Sequence, residues 1–151
     1  MTQKTVNKYV YPLTVGENTR VSYDESPAHI GNLKHSVDFI VAEGTPVLVA
    51  ADGIVVDLKT NSDIGGQEKE LESLGNFIEV KHAHNEYSEY EHLKKDSVPV
   101  KIGDTVRQGQ FIGLSGATGW LAHLGPHLHF MVGKYGKTNE DYETLEIVWE
   151  K

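Results

Sequence analysis

Short apolar runs, rich in Val and Ile and bounded by Gly, Asp or Asn, recur along most of the chain. Runs of this length and composition predict β-strands, and no long amphipathic pattern with a helical period accompanies them. Closely spaced short strands are typical of an antiparallel sandwich or open barrel, so we expect an all-β fold of that kind. Strands are predicted over residues 6–13, 37–42, 46–51, 53–59, 76–82, 110–116, 127–132 and 145–150.

The polar segments between these runs indicate how the chain is organised. Residues 60–75 form a long polar connection that bears glycine, and the string QEKELESL within it predicts a helical turn. Residues 133–143 form a second polar connection, and neither segment resembles a linker between domains. A weak repeat relates residues 43–55 to residues 102–113, since each is a turn containing Gly that leads into a strand. We therefore expect a single domain over residues 1–151, with a duplicated motif in its sheet and long loops around a groove.

Composition narrows the classes of function. The 151-residue chain has a formal net charge of −8, which argues against a nucleic-acid partner, because phosphate binding needs clustered Lys and Arg. It has no cysteine, so disulfides, thiolate nucleophiles and Cys-based zinc sites are excluded. It has no apolar run long enough to span a membrane, and its start lacks the features of a signal peptide. Two alternatives stay open: the protein stays inside the cell, or a leader has been removed.

The string GPHLHF places two histidines one residue apart in a predicted strand. Side chains alternate between the two faces of a strand, so His127 and His129 point the same way, while Leu128 and Phe130 face the core. A pair of histidines on the polar face of a rigid sheet is typical of a metal or catalytic site. With no cysteine, transition-metal chemistry would use histidines together with Asp or Glu.

A carboxylate inside the apolar run VDFIV is a second candidate for that site. Asp38 is costly to bury there unless it is paired or bound to a cation. A catalytic zinc needs three protein ligands and an open position for water. These would be Asp38, one of His127 and His129, and either His29 or His35 from the preceding segment.

The remaining histidines carry weaker signals. His82 and His84 end a predicted strand beside a polar turn, and the pattern favours two solvated side chains. His92, by itself, is typical of a surface histidine. His123 lies in a loop bounded by glycines, where it either contacts substrate or is merely exposed.

The order of several motifs resembles the lysostaphin-type (LytM-like) zinc metallopeptidases. The resemblance covers about residues 29–132, and the motifs in order are DF, GTPV, AADG, YEHL, GDTVRQGQFIG, SGATG and GPHLHF. It implies that Asp38 and His129 are zinc ligands. It also implies that His92 and His127 are the two catalytic histidines.

The chain departs from the family pattern before Asp38. The usual His-x-Gly-x-Asp spacing would need a histidine at position 34, which is Lys34 here. The string His29-Ile30-Gly31 keeps the first half of the motif, so we expect His29 as the third zinc ligand. His35 is the rival, and it would need a bulge to face the same way as Asp38.

Two further departures lie near the histidine pair. The loop over residues 118–127 is longer than the common spacing, and it adds Trp120 and His123 as candidate substrate-binding residues. Met131 stands where many relatives place Glu. The substrate groove is expected to run between loops 60–75 and 118–125.

The resemblance implies a Zn²⁺ enzyme that cleaves peptide bonds of bacterial peptidoglycan and is extracellular or periplasmic. Three alternatives stay open: a non-catalytic relative that activates other wall hydrolases, a zinc hydrolase with another substrate, and a carrier domain. The string VKIGDTVRQGQFIG resembles the turns of biotinyl and lipoyl carriers, but it lacks their lysine context. The sequence specifies neither the bond cleaved nor the oligomeric state.

Overall fold

A computed structural model describes residues 3–23, 31–121, 125–138 and 141–150 of the chain. Almost all of its regular structure is strand, and its helical segments are short 3₁₀ turns over Gly31–Leu33, Lys69–Leu74 and Ala83–Asn85. The strands are β1 (Lys4–Tyr9), β2 (Arg20–Ser22), β3 (Val37–Ile40), β4 (Pro46–Leu48), β5 (Gly53–Lys59), β6 (Gly65–Gly66), β7 (Asn76–Lys81), β8 (Tyr87–Leu93), β9 (Thr105–Val106), β10 (Phe111–Leu114), β11 (Gly119–Trp120), β12 (Leu128–Lys134), β13 (Glu143–Thr144) and β14 (Glu146–Trp149).

One large antiparallel sheet contains most of these strands. Its order is β2-β3-β12-β8-β7-β5-β9, with β13 paired to the end of β12. Strands β4 and β10 form a separate antiparallel pair, while β1 pairs with β14, and β6 with β11, in parallel. The expected all-β antiparallel fold is confirmed.

The two faces of the large sheet differ in polarity because the sequence alternates. On one face, Val37 and Phe39 of β3 lie beside Leu128 and Phe130 of β12, and all four are buried in the hydrophobic core. The β4–β10 pair contributes further apolar side chains to the same cluster. The opposite face carries the residues between them, including Asp38, and this polar face bears the candidate site.

The weak repeat corresponds to two similar turns. Gly44 and Gly103 both have a positive φ, of 90° and 96°, a backbone conformation that favours glycine. Each is followed three residues later by a fully buried valine, Val47 in β4 and Val106 in β9. Each copy of the repeated pattern therefore forms a tight turn, and the short strand that follows it packs a valine into the core.

Three sequence-based expectations have clear outcomes. Strand β5 begins and ends where the pattern predicts, and the helical turn expected within residues 60–75 is the 3₁₀ segment Lys69–Leu74. Strand β8 was not predicted, because its alternation of aromatic and acidic residues does not read as a strand with an apolar face. The expectation of a solvated His82 is wrong, since this side chain is 5% exposed.

None of the helices in the described ranges has the length and apolar character needed to cross a membrane.

Candidate metal and catalytic site

Asp38 and His129 are direct cross-strand partners on the polar face of the large sheet. Asp38 lies in β3 and His129 in β12, and each is 3% exposed. The Oδ1 atom of Asp38 is 3.1 Å from Nδ1 of His129. A carboxylate oxygen and an imidazole nitrogen held this close on a rigid sheet are ligand types that zinc prefers.

His127 approaches the same carboxylate from the residue before β12 begins. Its Nδ1 lies 2.9 Å from the backbone carbonyl oxygen of Gly125. Because a carbonyl oxygen only accepts, Nδ1 donates this hydrogen bond and Nε2 is the basic nitrogen of the neutral ring. That Nε2 lies 3.6 Å from Oδ1 of Asp38. The two histidines of GPHLHF therefore face one carboxylate, as the strand alternation predicts.

A β-bulge brings His92 to the polar face. In the β7–β8 pair, Asn76 lies opposite Leu93 and Phe77 opposite Glu91, so His92 is the extra residue. Its φ of 69° is rare for a residue other than glycine. The bulge places the His92 ring centroid 4.5 Å from that of His127.

Burial controls the protonation of His92. Burial, followed by the neighbouring His127 and His129, lowers the pKa of His92 to about 3, against the opposing effects of the Thr118 carbonyl and Asp38. Nδ1 of His92 donates to the Thr118 carbonyl oxygen at 2.7 Å. His92 is consequently neutral at pH 7, with its lone pair on Nε2.

The pKa of His129 is shifted in the opposite direction from that of His92. Burial lowers its pKa, but the hydrogen bond to Asp38 and the charges of Glu91 and Asp38 together outweigh burial, so the pKa is raised. Glu91 lies directly opposite His129 in the β8–β12 register. Glu91 was not predicted as a site residue, although the alternation of Glu89 and Glu91 along a strand would have placed it on this face.

Two of the candidate site residues, His29 and His123, lie outside the described residues. His35 is partly exposed in the turn before β3, where its backbone N–H donates to the Thr144 hydroxyl at 3.1 Å. Within the described ranges, which contain His35, no group of three His, Asp or Glu side chains is arranged to hold a metal ion. The donor pair Asp38 and His129 nevertheless fits zinc in its chemistry.

The two loops expected to border the substrate groove pair directly with each other. Gly65 and Gly66 of β6 align with Gly119 and Trp120 of β11. The approach is close, since a Cβ at Gly119 would lie 2.6 Å from the Gly75 Cα. The two loops are therefore joined at β6 and β11, with Gly119 beside His92, and the substrate groove stays a prediction.

Trp120 belongs to this joined segment and is only partly buried. The Nζ atom of Lys69, in the 3₁₀ turn, lies 5.9 Å from the centroid of the Trp120 ring, within range of a cation–π interaction. The assignment of Trp120 to substrate binding stays a prediction.

Comparisons with known proteins found a matching family, similar sequences and similar structures. A model described as Peptidase family M23 matches residues 32–141. The chain is 39% identical over 100 residues to the glycyl-glycine endopeptidase ALE-1 of Staphylococcus capitis, covering 66% of this chain and 24% of that protein. It is 36% identical over 96 residues to the peptidoglycan DD-endopeptidase ShyA of Vibrio cholerae, covering 64% of this chain and 19% of that protein.

A solved structure is similar over most of the chain. The catalytic domain of the antimicrobial peptidase lysostaphin from Staphylococcus simulans has a TM-score of 0.57 at 29% identity, covering 84% of this chain and 89% of that chain. The chain spans less than a quarter of the length of the curated relatives it matches.

Proposed function

Because the chain belongs to peptidase family M23, we propose that it is a zinc metalloendopeptidase that hydrolyses peptide bonds of bacterial cell-wall peptidoglycan. The observation that carries the proposal is the Asp38–His129 donor pair, 3.1 Å apart, with two histidines on the same buried face. The name of the Vibrio cholerae relative, a peptidoglycan DD-endopeptidase, supports peptidoglycan as the substrate class. A place of action outside the cytoplasm, extracellular or periplasmic, belongs to the same proposal.

Three residues would hold the metal in this proposal: Asp38, His129 and His29. Bound zinc would polarise the scissile carbonyl and lower the pKa of a water molecule. The two donor atoms of Asp38 and His129 are fixed by β3 and β12, which pair directly. His29 completes the set by its His-x-Gly motif, with His35 as the rival.

The chemistry of the chain's own residues is proton transfer. His92 and His127 each tie Nδ1 to a backbone carbonyl, which leaves Nε2 as the basic nitrogen in both rings. One ring takes a proton from the attacking water at Nε2. The other, after taking a proton from solvent, is an imidazolium whose Nε2–H stabilises the oxyanion or protonates the leaving amine. The low pKa of His92 keeps its ring neutral at pH 7, with the lone pair on Nε2.

The test is zinc content by elemental analysis, together with hydrolysis of purified peptidoglycan. We expect about one zinc per chain in the wild type, given one donor set. Asp38→Ala and His129→Ala should lose the metal. His127→Ala should keep it and lose activity by about 100-fold or more, the usual contribution of general acid–base catalysis.

Comparison of His29→Ala with His35→Ala identifies the third ligand, since only one of them should lose zinc. The matched control is His84→Ala, because His84 is exposed in the turn between β7 and β8. Full zinc retention in Asp38→Ala would refute the metal site. A zinc-loaded wild type that leaves peptidoglycan intact would refute the substrate.

A further inference from the structure

The backbone carbonyl of Thr118 decides which nitrogen of His92 carries the hydrogen. Nδ1 of His92 lies 2.7 Å from that oxygen, so the neutral ring donates from Nδ1. A histidine held in the opposite tautomer would present an N–H, and no lone pair, at Nε2. The position of Thr118 therefore bears directly on whether His92 can accept a proton.

A closed set of hydrogen bonds holds Thr118 against the bulge. Its hydroxyl donates to the Leu93 carbonyl at 2.7 Å and accepts from the backbone N–H of Asn76 at 3.0 Å. The Asn76 side-chain amide donates to the same Leu93 carbonyl at 3.1 Å. Leu93 directly follows the bulged His92, so these bonds fix the backbone on the far side of the bulge.

Asn76 is itself fixed on both sides. Its Oδ1 accepts from the Ser62 backbone N–H at 3.0 Å, and its Nδ2 donates to the Ser62 carbonyl at 2.8 Å. The side chain is 0% exposed, and Thr118 is 5% exposed. Buried amides and hydroxyls with all their partners present hold a single geometry, because any rotation would leave a polar group unsatisfied.

We propose that Thr118 and Asn76 are positioning residues that hold His92 as the Nδ1–H tautomer, with Nε2 as its basic nitrogen. Neither side chain bonds to His92. Both act through the Thr118 carbonyl, whose position the hydroxyl and the amide together determine. The activity part of this inference rests on the proposed peptidase function, whereas the tautomer part does not.

The first measurement is the tautomer of His92 in the ¹⁵N-labelled full chain at pH 7.5, from two-bond ¹H–¹⁵N correlation spectra. The His92 signals are those that disappear in His92→Gln. We expect the Nδ1–H pattern in the wild type, and an Nε2–H pattern would overturn the proposal. This measurement needs neither substrate nor a stable variant.

The second measurement compares Thr118→Val with Thr118→Ser. Valine keeps the shape and removes the hydroxyl, so we expect mixed His92 tautomers and a kcat lower by about 10- to 100-fold, as a small misplacement of a reacting group causes. KM and zinc content should stay near the wild-type values. Serine restores the hydroxyl and should restore both the tautomer and kcat.

Ser88→Ala is the matched control, because it removes a buried hydroxyl from β8 on the core side of the sheet. It should lower stability and leave the His92 spectrum unchanged. A Thr118→Val protein with an intact tautomer and full kcat would overturn the proposal. Should wild type fail to cleave peptidoglycan, the spectra alone still decide whether Thr118 fixes His92.

Discussion

His82 is a buried histidine with both ring nitrogens in hydrogen bonds. It lies on the core side of the sheet, away from the candidate site. Its Nδ1 lies 2.7 Å from the Asp52 carbonyl oxygen, and its Nε2 lies 2.7 Å from the Ser88 hydroxyl. Ser88 is also hydrogen-bonded to Tyr90, whose hydroxyl accepts from the Ala50 backbone N–H. These connected hydrogen bonds satisfy polar groups inside an otherwise apolar core.

The charge state of His82 makes stability depend on pH. Burial lowers its pKa, against the hydrogen bond to the Asp52 carbonyl and the charges of Glu86 and Asp52. The unfolded chain, with an ordinary histidine pKa of about 6.5, therefore binds this proton first as pH falls. The contribution of neutral His82 to stability is complete above about pH 6.5 and is lost progressively below it.

We expect His82→Gln to lower the free energy of unfolding at pH 7.5 by about 1–3 kcal/mol, the usual cost of disrupting buried hydrogen bonds. The difference between wild type and variant should shrink as pH falls from 7.5 to 5, because glutamine has no proton to gain. Urea unfolding at several pH values measures this. His84→Gln, at an exposed position, is the control. A difference that stays constant with pH for His82→Gln would contradict the prediction.

A row of carboxylates crosses three neighbouring strands on the polar face. Asp57 of β5 lies opposite Glu79 of β7, and Glu79 lies opposite Glu89 of β8. Like charges placed directly opposite in a sheet are destabilising. Burial raises the pKa of both Glu79 and Glu89, and neighbouring carboxylates raise it further, although the hydrogen bond from Tyr135 lowers that of Glu79.

A raised carboxyl pKa costs stability at neutral pH. The folded state holds the proton of Glu89 more tightly than the unfolded chain, so stability falls as pH rises above the ordinary glutamate pKa of about 4.3. We expect Glu89→Gln to stabilise the protein at pH 7 by on the order of 1 kcal/mol. The gain should vanish near pH 4.

Chemical denaturation at pH 7 and pH 4 checks this prediction for Glu89→Gln. Glu143→Gln, at an exposed position in β13, provides the control, and its effect on stability should be small, as for most surface substitutions. A destabilised Glu89→Gln at pH 7 would mean that the row is held together by a partner of opposite charge.

Sequence patterns predicted the elements with an apolar face and missed the others. The run VDFIV and the string HLHF place Asp38 and His129 correctly, since period-two alternation determines which face each side chain takes. Strand β8 was missed because its outward residues, Glu89 and Glu91, line the polar face, so the segment has too few apolar positions to signal a strand. No glycine in the sequence marks the position of the bulge at His92, so the bulge is recognised from the strand pairing.

At the scale of the whole molecule, one buried glutamate ties the beginning of the chain to the sheet. Glu86, in the turn between β7 and β8, is 0% exposed. It accepts hydrogen bonds from the backbone N–H groups of Val6 at 2.6 Å and Asn7 at 3.2 Å, and from the Tyr9 hydroxyl at 2.9 Å. Strand β1 also pairs with β14, so both end segments depend on this contact.

We expect Glu86→Ala to lower the free energy of unfolding by about 3 kcal/mol, because it removes the acceptor of the buried Tyr9 hydroxyl and of two part-buried backbone N–H groups. Amide hydrogen exchange should speed up across β1 and β14 before it does in the large sheet. Glu143→Ala, an exposed position, is the matched control. Unchanged exchange in β1 would show that the strand is held by its pairing alone.

The bond between Asp38 and His129 joins residues that are 91 positions apart in the chain. Contacts of such long sequence separation form slowly, since a large loop must close before they contribute any energy. No fragment that ends before β12 contains both residues, so the ribosome must release nearly the whole domain before the pair can meet. A chain that is still being synthesised, or one in which β3 has separated from β12, lacks the assembled Asp38–His129 pair.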